Sequence, residues 1–447
     1  MKETSRIGIF GHYGNKNLGD EAIILAVIQN LKERIPDVEI SCFSINPEDS
    51  TARYGVPAYP IRKVKKATVA SNQPSGSTDS LVCATEMITD KNRSTPSRIK
   101  EVLKKLPFVF TTLKFIKNIL EFPFLLFEEL CFLKKSFQSL KEVDLLLITG
   151  SNQFLDNFGG SWGFPYTLLK WSVLARLAGK KIAHISIGAG PLDKILSKSF
   201  ICGSVCLSHY LSFRDKGSSD LTKRFLGFKS SHVFPDLAHS LRWEQDVKKQ
   251  LKRGTTERLV VGINPMPIYD KRYWHIADDA KYIDFVAKIG GFATFLVEKD
   301  FNVILFGTHP KDIEVSNDVI SYLSQRMDSA LLSRCSIKSA EQVPDVMALI
   351  SSFDFVVATR FHGVLLSLLA RKCVVALCYG AKTNELMIEA DQGQYALDFE
   401  SFSLEELKSI FLKLFQNRED QELFIKKKEQ DFIAKLDDQY KLILQLL

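Results

Sequence analysis

One pattern recurs along most of this chain: a short apolar run rich in β-branched residues, followed by a longer stretch with helical periodicity. The runs in the first half are Ile7–Phe10, Glu39–Ile45, Leu145–Ile148, Lys181–Ile187 and Tyr210–Phe213. Such alternation is typical of βαβ units, in which parallel strands are buried between helices. The pattern therefore predicts an open parallel sheet for this part of the chain.

The alternation begins again after the charged stretch Gln245–Arg258. Strands are predicted at Leu259–Ile263, Asn302–Phe306, Phe355–Ala358 and Val374–Cys378, with helices at Tyr282–Glu298 and Gly363–Ala370. The sequence thus predicts an α/β protein of two Rossmann-like, doubly wound domains, residues 1–245 and 246–447. Because ligands of open parallel sheets bind beyond the carboxyl ends of the strands, we expect the two domains to face each other across a cleft.

An insertion at about residues 63–140 interrupts the first domain. Residues 61–140 contain 14 Lys and Arg against 7 Asp and Glu, an excess equal to the formal net charge of +7 of the whole chain. The polar composition of 63–97 predicts a mobile excursion. Residues 98–135 are dense in Phe and Leu with lysines between them, which fits either a helix packed on the domain or peripheral contact with a membrane.

Other classes of protein are excluded by simple features of the sequence. The longest stretch free of charged residues, Ser199–Phe213, is shorter than the roughly 18 apolar residues of a membrane-spanning helix. The N-terminus lacks the apolar core of a signal peptide, so we expect a cytoplasmic protein, peripheral at the inner face of the membrane if 98–135 binds lipid. None of the eight cysteines forms a Cys-x-x-Cys pair, and we expect neither a metal site nor a nucleic-acid partner.

The loop after the first strand, Gly11 to Glu21, is rich in glycine and opens a helix. Glycine lets the backbone approach a ligand, and a helix N-terminus presents free N–H groups to an anion. The loop is therefore a candidate for anion binding. Alternatively, Asp20 and Glu21 serve only to cap the helix and complement its dipole.

The loop after the strand Leu145–Ile148 combines amides, a carboxylate and an aromatic ring. Asn152, Gln153, Asp156 and Trp162 are residue types well suited to binding sugar hydroxyls. The alternative is a structural loop, since Gly and Asn are also the residues that turns prefer.

Two arginines follow strands at the predicted cleft. Arg214 comes directly after Tyr210–Phe213, where it binds an anion or else pairs with Asp215 and staples the loop. Arg360 precedes the helix Gly363–Ala370, where the guanidinium and the helix dipole can hold one anion. His362 is the residue type that titrates near neutrality, although a core histidine is the alternative.

Eight segments of the sequence together resemble the polysaccharide pyruvyl transferase family. They read GHYGNKNLGDEAI, GSNQFLDNFGGSWGFPYTLLKW, SIGAGPL, RDKGS, PDLAHSL, VGINPMPIYDKRYW, TRFHGVLLSLL and YGAKTNELM, and their number and order cover nearly the whole chain outside 63–140. The resemblance implies a GT-B-like fold of two Rossmann domains. It also implies transfer of the pyruvyl group of phosphoenolpyruvate to a sugar, commonly as a ketal bridging two hydroxyls, with no further cofactor.

The resemblance also implies roles for individual residues. Arg360 and His362 match the Arg-x-His motif that is associated with donor binding and catalysis in the family, although Phe361 stands where Leu is commoner. The expected donor-binding residues are Arg214, Arg360, Gly14 and Asn17, and the expected acceptor-binding residues are Asn152, Gln153 and Trp162. The expected catalytic residues are His362, Arg360, Asp20 and Asp156, with His362 protonating the donor methylene, and His309 and Lys382 are further candidates.

The expected acceptor is a saccharide of a polysaccharide or of its lipid-linked precursor. Two alternatives remain at this point: a GT-B glycosyltransferase that uses a nucleotide sugar, and an inactive homologue that only binds saccharide. Nucleotide-sugar enzymes commonly carry a Glu for the ribose hydroxyls on the helix that corresponds to Gly363–Ala370, and this helix has no acidic residue. The intact Arg214, Arg360 and His362 speak against an inactive homologue.

Overall fold

A computed structural model describes residues 4–63, 127–157, 159–227, 229–243, 258–274 and 276–447. Of the predicted excursion 63–97 only Lys63 is included, and of the Phe- and Leu-rich stretch 98–135 only residues from 127 onward. The predicted boundary between residues 245 and 246 also lies outside the described residues.

The N-terminal domain is built on an eight-stranded parallel sheet. Its strands are β1 Arg6–Phe10, β2 Glu39–Ser44, β3 Ala58–Pro60, β4 Leu145–Thr149, β5 Asn152–Phe154, β6 Lys181–Ala189, β7 Tyr210–Phe213 and β8 His232–Val233. The strand order is β3-β2-β1-β4-β6-β7-β8, and β5 pairs with β6. Central strands such as β4 are buried at every residue, because helices cover both faces of a parallel sheet.

The helices of this domain connect successive strands. They are α1 Leu18–Arg34, α2 Pro47–Tyr54, α3 at 127–141, α4 Phe164–Leu177, α5 Ile195–Cys206 and α6 Lys216–Leu226, with short 3-10 helices at Gly160–Trp162 and Leu237–Ser240. Trp171 of α4 anchors one layer of helices to the sheet: its ring lies 5.6 Å from that of Phe10 and 5.1 Å from that of Phe43.

Helix α3 is the described part of the insertion and has two different faces. Leu140 is buried and Phe132 packs against the domain core, whereas Phe127 and Leu130 are exposed. The packed interpretation of this stretch therefore holds for one face of α3 only. Among the helices that the structure describes, none is both long and apolar enough to span a membrane.

The C-terminal domain has a six-stranded parallel sheet. Its strands are β9 Val260–Asn264, β10 Asn302–Phe306, β11 Cys335–Lys338, β12 Phe355–Ala358, β13 Cys373–Cys378 and β14 Ala396–Asp398, in the order β11-β10-β9-β12-β13-β14. The helices are α7 Asp279–Glu298, α8 Pro310–Ser324, α9 Ser329–Leu332, α10 Val343–Ser351, α11 Phe361–Leu369, α12 Ala381–Glu389, α13 Leu404–Gln416 and α14 Arg418–Leu444, with a 3-10 helix at Gly393–Tyr395.

The last helix, α14, returns to the N-terminal domain. The amide of its buried Gln439 donates to Ser212 Oγ of β7 (2.8 Å) and accepts from Ser186 Oγ of β6 (3.0 Å). Near its end, the guanidinium of Arg34 lies 4.6 Å from the ring centroid of Tyr440. The helix thus fastens the two domains together.

Candidate active site between the two domains

The carboxyl ends of the two sheets meet, so that loops from both domains are in direct contact. The backbone N–H of Leu18, at the start of α1, donates to the carbonyl of Thr308, which follows β10 (3.0 Å). Across the same junction, Lys382 Nζ at the start of α12 donates to Asn152 Oδ1 of β5 (2.5 Å). The two domains therefore meet where the cleft is predicted, and their loops are in contact there. This region of contact is called the junction below.

His362 lies at the centre of this junction. It belongs to the first turn of α11 and packs so closely on Gly19 of α1 that a side chain at position 19 would lie 2.1 Å from its ring. Its Nε2 is buried and has no hydrogen-bond partner among the described residues. Burial lowers the pKa of His362, although the carboxylates of Asp236 and Asp20 oppose that shift.

Asp20 is the acidic residue of the first loop whose charge acts on His362. It is buried and accepts a hydrogen bond from Asn17 Nδ2 (2.9 Å), and its Oδ2 lies 3.9 Å from His12 Nδ1. Burial by itself raises the pKa of Asp20, but the neighbouring His12, His362 and Arg214 outweigh it, so that the pKa lies below its usual value. Asp20 is therefore an ionised carboxylate at neutral pH.

Arg214 is a buried cation held by buried carboxylates. Its Nη1 donates to Asp236 Oδ2 (3.0 Å), and its Nε lies 3.6 Å from Asp215 Oδ2 without a hydrogen bond. Its guanidinium lies 4.5 Å from the ring centroid of Phe361 in the opposite domain. Asp215 itself caps α6 by accepting from Ser218 N (2.5 Å), so the stapling interpretation holds for Asp215 while Arg214 reaches the junction.

Arg360, the N-cap residue of α11, is anchored at one end only. Its Nε donates to both carboxylate oxygens of Asp312 at 2.6 and 2.7 Å, and Asp312 is fully buried in the first turn of α8. Asp312 also accepts from the backbone N–H groups of Thr308 and His309 (3.1 Å each). Within the described residues, the terminal nitrogens of Arg360 have no hydrogen-bond partner and remain available to an anion.

Lys382 is a second cation close to Arg214. Burial and, after it, the charge of Arg214 lower the pKa of Lys382 to about 7, against the opposing effect of Asp215 and Glu385. A bound anion would stabilise the charged form of this lysine. Lys382, a minor candidate from the sequence, therefore lies with the principal ones.

The side chains of several other candidates accept hydrogen bonds from backbone N–H groups. The carboxylate of Asp156 accepts from the N–H groups of Asp193 and Lys194 (3.1 and 2.8 Å), and it stabilises the start of α5. Asn17 caps α1, and His309 caps α8 by accepting from Lys311 N (3.1 Å). Of the two carboxylates predicted to be catalytic, Asp20 acts on His362, together with Asp236, whereas Asp156 is held by the backbone.

The first loop is closed against the protein in this structure. Gly14, whose positive φ of 81° favours glycine, donates its N–H to Glu21 Oε1 (3.0 Å), and Tyr54 donates to the other oxygen of Glu21. Burial raises the pKa of Glu21 to about 7. Gly14 and the capping Asn17 therefore shape the loop that carries Asp20, and the N-terminal turn of α1 faces the other domain.

The three acceptor candidates occupy different environments. Asn152 lies at the junction and contacts Lys382. Gln153 is fully buried, and its Nε2 donates to the carbonyl of Thr149 (2.8 Å) while its Oε1 has no partner within the described part of the chain. Trp162 is 64% exposed, at the outer rim of the same loop.

Two functional partners escaped the sequence analysis: Asp236, which pairs with Arg214, and Asp312, which orients Arg360. Asp236 lies in the quoted segment PDLAHSL, and a buried arginine at a strand end requires a buried carboxylate somewhere in the fold. That requirement was the available signal, but it does not identify which acidic residue supplies the pair. In the described ranges, no group of three or more His, Cys, Asp or Glu side chains is placed to hold a metal ion.

Comparison with known sequences supplies an independent finding. The family model described as polysaccharide pyruvyl transferase matches residues 17–380. No curated protein matches the chain.

Several solved structures have a similar fold. They include UDP-GlcNAc 2-epimerase from Neisseria meningitidis bound to UDP-GlcNAc (13% identity, covering 99% of each chain, TM-score 0.55). Others are the S. aureus MnaA–UDP complex (11% identity, 99% of this chain and 98% of that chain, TM-score 0.52) and a glycosyltransferase from Rickettsia africae (9%, 99% of each, TM-score 0.51). At such low identity the likeness establishes the fold, two Rossmann-like domains of the GT-B type.

Proposed function

Because the chain belongs to the polysaccharide pyruvyl transferase family, we propose that it transfers the pyruvyl group of phosphoenolpyruvate to a saccharide and releases phosphate. One observation carries this proposal: three cations and a histidine from both domains converge on one junction. They are Arg214, Arg360, Lys382 and His362, and each matches a candidate that the sequence supplied.

The charges at the junction suit a small donor that has two anionic groups. Phosphoenolpyruvate carries a carboxylate and a phosphate, and guanidinium groups bind both in charge-assisted pairs. The terminal nitrogens of Arg360, which have no partner in the described part of the chain, supply one contact. Lys382 and Arg214, whose charge lowers the pKa of Lys382, supply the other. The bound donor would raise the pKa values of Lys382 and His362 by adding negative charge beside them.

His362 is the general acid of the proposed reaction. In the first step a sugar hydroxyl adds to C2 of the donor, while the proton of His362 goes to the methylene carbon, which becomes a methyl group. In the second step the C–O bond to phosphate breaks and a second hydroxyl takes its place, forming the ketal. The two hydroxyls lose two protons: one replaces the proton given by His362, and the other leaves with phosphate.

Asp20 is the base that the geometry supports best. It is ionised and shares the junction with His362, whereas Asp156 is occupied by backbone donors. His12, 3.9 Å away, and Asn17 hold the carboxylate of Asp20 in place. Asp20 would accept the proton of the attacking hydroxyl.

The acceptor is proposed to be a saccharide of a polysaccharide or of its lipid-linked precursor, with Asn152 at the junction and the loop up to Trp162 on the acceptor side. A cytoplasmic enzyme that acts on a lipid-linked acceptor must associate with the inner face of the membrane. Membrane contact is one of the two interpretations that the sequence offers for 98–135, of which residues 127–135 are described.

The rival use of a nucleotide sugar lacks its expected contact. In α11 the side chain of Ser367 is buried and donates to the carbonyl of Gly363 (2.7 Å), and Leu366 is buried beside it. This helix therefore offers no carboxylate for ribose hydroxyls.

The test is release of inorganic phosphate from phosphoenolpyruvate in the presence of saccharide acceptors, followed by mass spectrometry of the product. Transfer of a pyruvyl ketal adds a pyruvate carboxyl group to the saccharide, and the His362→Ala variant is the matched control. Calorimetric titration with phosphoenolpyruvate needs no acceptor and tests the donor separately. Release of UDP from a nucleotide sugar, together with no binding of phosphoenolpyruvate, would contradict the proposal.

A further inference from the structure

A group of apolar side chains faces solvent at the rim of the junction, on the N-terminal domain. Trp162, Ile195 and Leu196 are 64%, 83% and 44% exposed. The ring of Trp162 packs on those of Tyr166 (5.2 Å) and Phe200 (5.5 Å), so the aromatic rings form one cluster. These five residues are called the rim patch below.

The rim patch is held in place by polar contacts beneath it. Ser161 Oγ and Ser197 Oγ are hydrogen-bonded at 2.8 Å, which fixes the 3-10 helix Gly160–Trp162 on the first turn of α5. The carboxylate of Asp156 accepts from Lys194 N (2.8 Å) just before that turn. These hydrogen bonds hold large apolar side chains in solvent. Burying each of them would contribute about 1.5–3 kcal/mol of favourable free energy.

The position of the rim patch connects it to the candidate site. Its loops follow directly from β5 and β6, at the carboxyl edge of the sheet. The same edge carries Asn152, which contacts Lys382 across the junction. A surface that binds to the rim patch therefore lies next to the acceptor side of the site.

The charges around the rim patch favour an anionic partner. Lys194 and Lys198 flank the apolar residues of α5, and Asp193 is the acidic residue of the same segment. The rim patch thus combines a central Trp, two exposed aliphatic side chains and flanking lysines. This combination is typical of surfaces that bind the interface of a bilayer with anionic lipids. A stable protein interface buries about 800 Å² on each partner over 20–30 residues, which is more than five side chains provide.

Helix α3 extends the same side of the domain. The ammonium of Lys170 lies 5.6 Å from the ring centroid of Tyr166 and 4.9 Å from that of Phe132 in α3, which joins the rim patch to this helix. The exposed Phe127 and Leu130 of α3 add further apolar area.

We propose that the rim patch rests on an anionic lipid bilayer, with Trp162, Ile195 and Leu196 among the headgroups and the lysines on anionic lipid. This contact goes beyond pyruvyl transfer, because it brings the mouth of the junction to the membrane surface. A saccharide anchored in the same bilayer would then reach the site without leaving the membrane.

Flotation of the full-length protein with vesicles tests the contact. The wild-type protein should float with vesicles of phosphatidylcholine and phosphatidylglycerol, and should float less with phosphatidylcholine alone or at high salt. The double variant Ile195→Ser, Leu196→Ser should lower the partition coefficient about tenfold or more. Ile283→Ser is the matched control: Ile283 is 66% exposed on α7 in the other domain, and its loss should leave binding unchanged.

Three results would overturn the proposal: a wild-type protein that never floats, equal binding by the double variant and by Ile283→Ser, or a dimer in solution that the double variant dissociates. The last result would assign the rim patch to a second copy of the chain. Since flotation requires no phosphoenolpyruvate, its failure is distinguishable from failure of the proposed reaction. The double variant should also retain wild-type turnover on a soluble acceptor.

Discussion

The two arginines of the junction sit in contrasting surroundings. The side chain of Arg214, from the N-terminal domain, is 5% exposed and lies between the carboxylates of Asp236 and Asp215 under the ring of Phe361. The side chain of Arg360, from the C-terminal domain, is 18% exposed and is anchored by Nε alone to Asp312. The two arginines are therefore held differently: Arg214 balances buried carboxylates in addition to its proposed donor contact, whereas Arg360 leaves its terminal nitrogens for a ligand.

Substitution of His362 has the largest expected effect on activity, because this residue is the proposed acid in the reaction of the donor that both arginines bind. We expect His362→Ala to lower kcat by about 10²- to 10⁴-fold with a smaller change in the affinity for phosphoenolpyruvate. As the acid must be protonated, kcat of the wild type should fall as pH rises through the pKa of His362 in the donor complex. Steady-state kinetics across pH measure both effects. An unchanged kcat would move the acid elsewhere, with His309 as the next candidate.

Arg214→Ala tests the buried half of the comparison. Removing one partner of a buried ion pair costs about 3–5 kcal/mol, because the remaining carboxylate is left without compensation. We therefore expect chemical denaturation to show that the free energy of unfolding falls by this amount in Arg214→Ala. Adding Asp236→Asn to this variant should restore part of the lost free energy, because the unpaired charge is removed. If Arg214→Ala is as stable as Arg360→Ala, the contrast between the two arginines fails.

Arg360→Ala tests the ligand-facing half. Loss of a charge-assisted contact costs about 1.5–3 kcal/mol, so the affinity for phosphoenolpyruvate should fall roughly tenfold to a hundredfold. Stability should change less than in Arg214→Ala, because Asp312 keeps its two backbone donors. Calorimetric titration gives the affinity, and near-normal binding would remove Arg360 from the donor site.

The smallest expected effect concerns Lys382 and is seen in how the affinity for phosphoenolpyruvate depends on pH. Its pKa of about 7 in the free protein means that it is charged below this pH and neutral above it. Because the anionic donor favours the charged form, binding above pH 7 takes up a proton, and affinity should fall by up to about tenfold per pH unit. Titrations from about pH 7 to about pH 9 should show this slope in the wild type and lose it in Lys382→Met. An equal slope in both proteins would exclude Lys382 as its origin.

The sequence predicts the central strands well, because a strand buried on both faces reads as a continuous apolar run. The strands β3, β5, β8, β11 and β14 were not predicted. Four of them have only two or three residues, too few to show a pattern, and β11 is an edge strand in which only Cys335 is buried. The predicted order of strands and loops also brings Arg214, Arg360 and His362 to one edge. Helix α14 was not foreseen as a link between domains.

The acidic partners of the arginines lie beyond sequence reasoning for a physical reason. Arg214 and Asp236 are 22 residues apart, and Arg360 and Asp312 are 48 apart, so only the fold brings each pair together. Roles are also ambiguous where ligand binding and helix capping use the same residue types. Asp156 was predicted to be catalytic for its carboxylate, and the structure uses that carboxylate to begin α5.

Helix α14 affects the order in which the chain can fold during synthesis. The buried hydroxyl of Ser212 in β7 accepts from Gln439, a residue that leaves the ribosome 227 residues later. Until then, the polar groups of β6 and β7 that Gln439 satisfies stay open to water. The N-terminal domain is therefore translated first but completed last, and an excised N-terminal domain would expose the apolar surface that α14 covers.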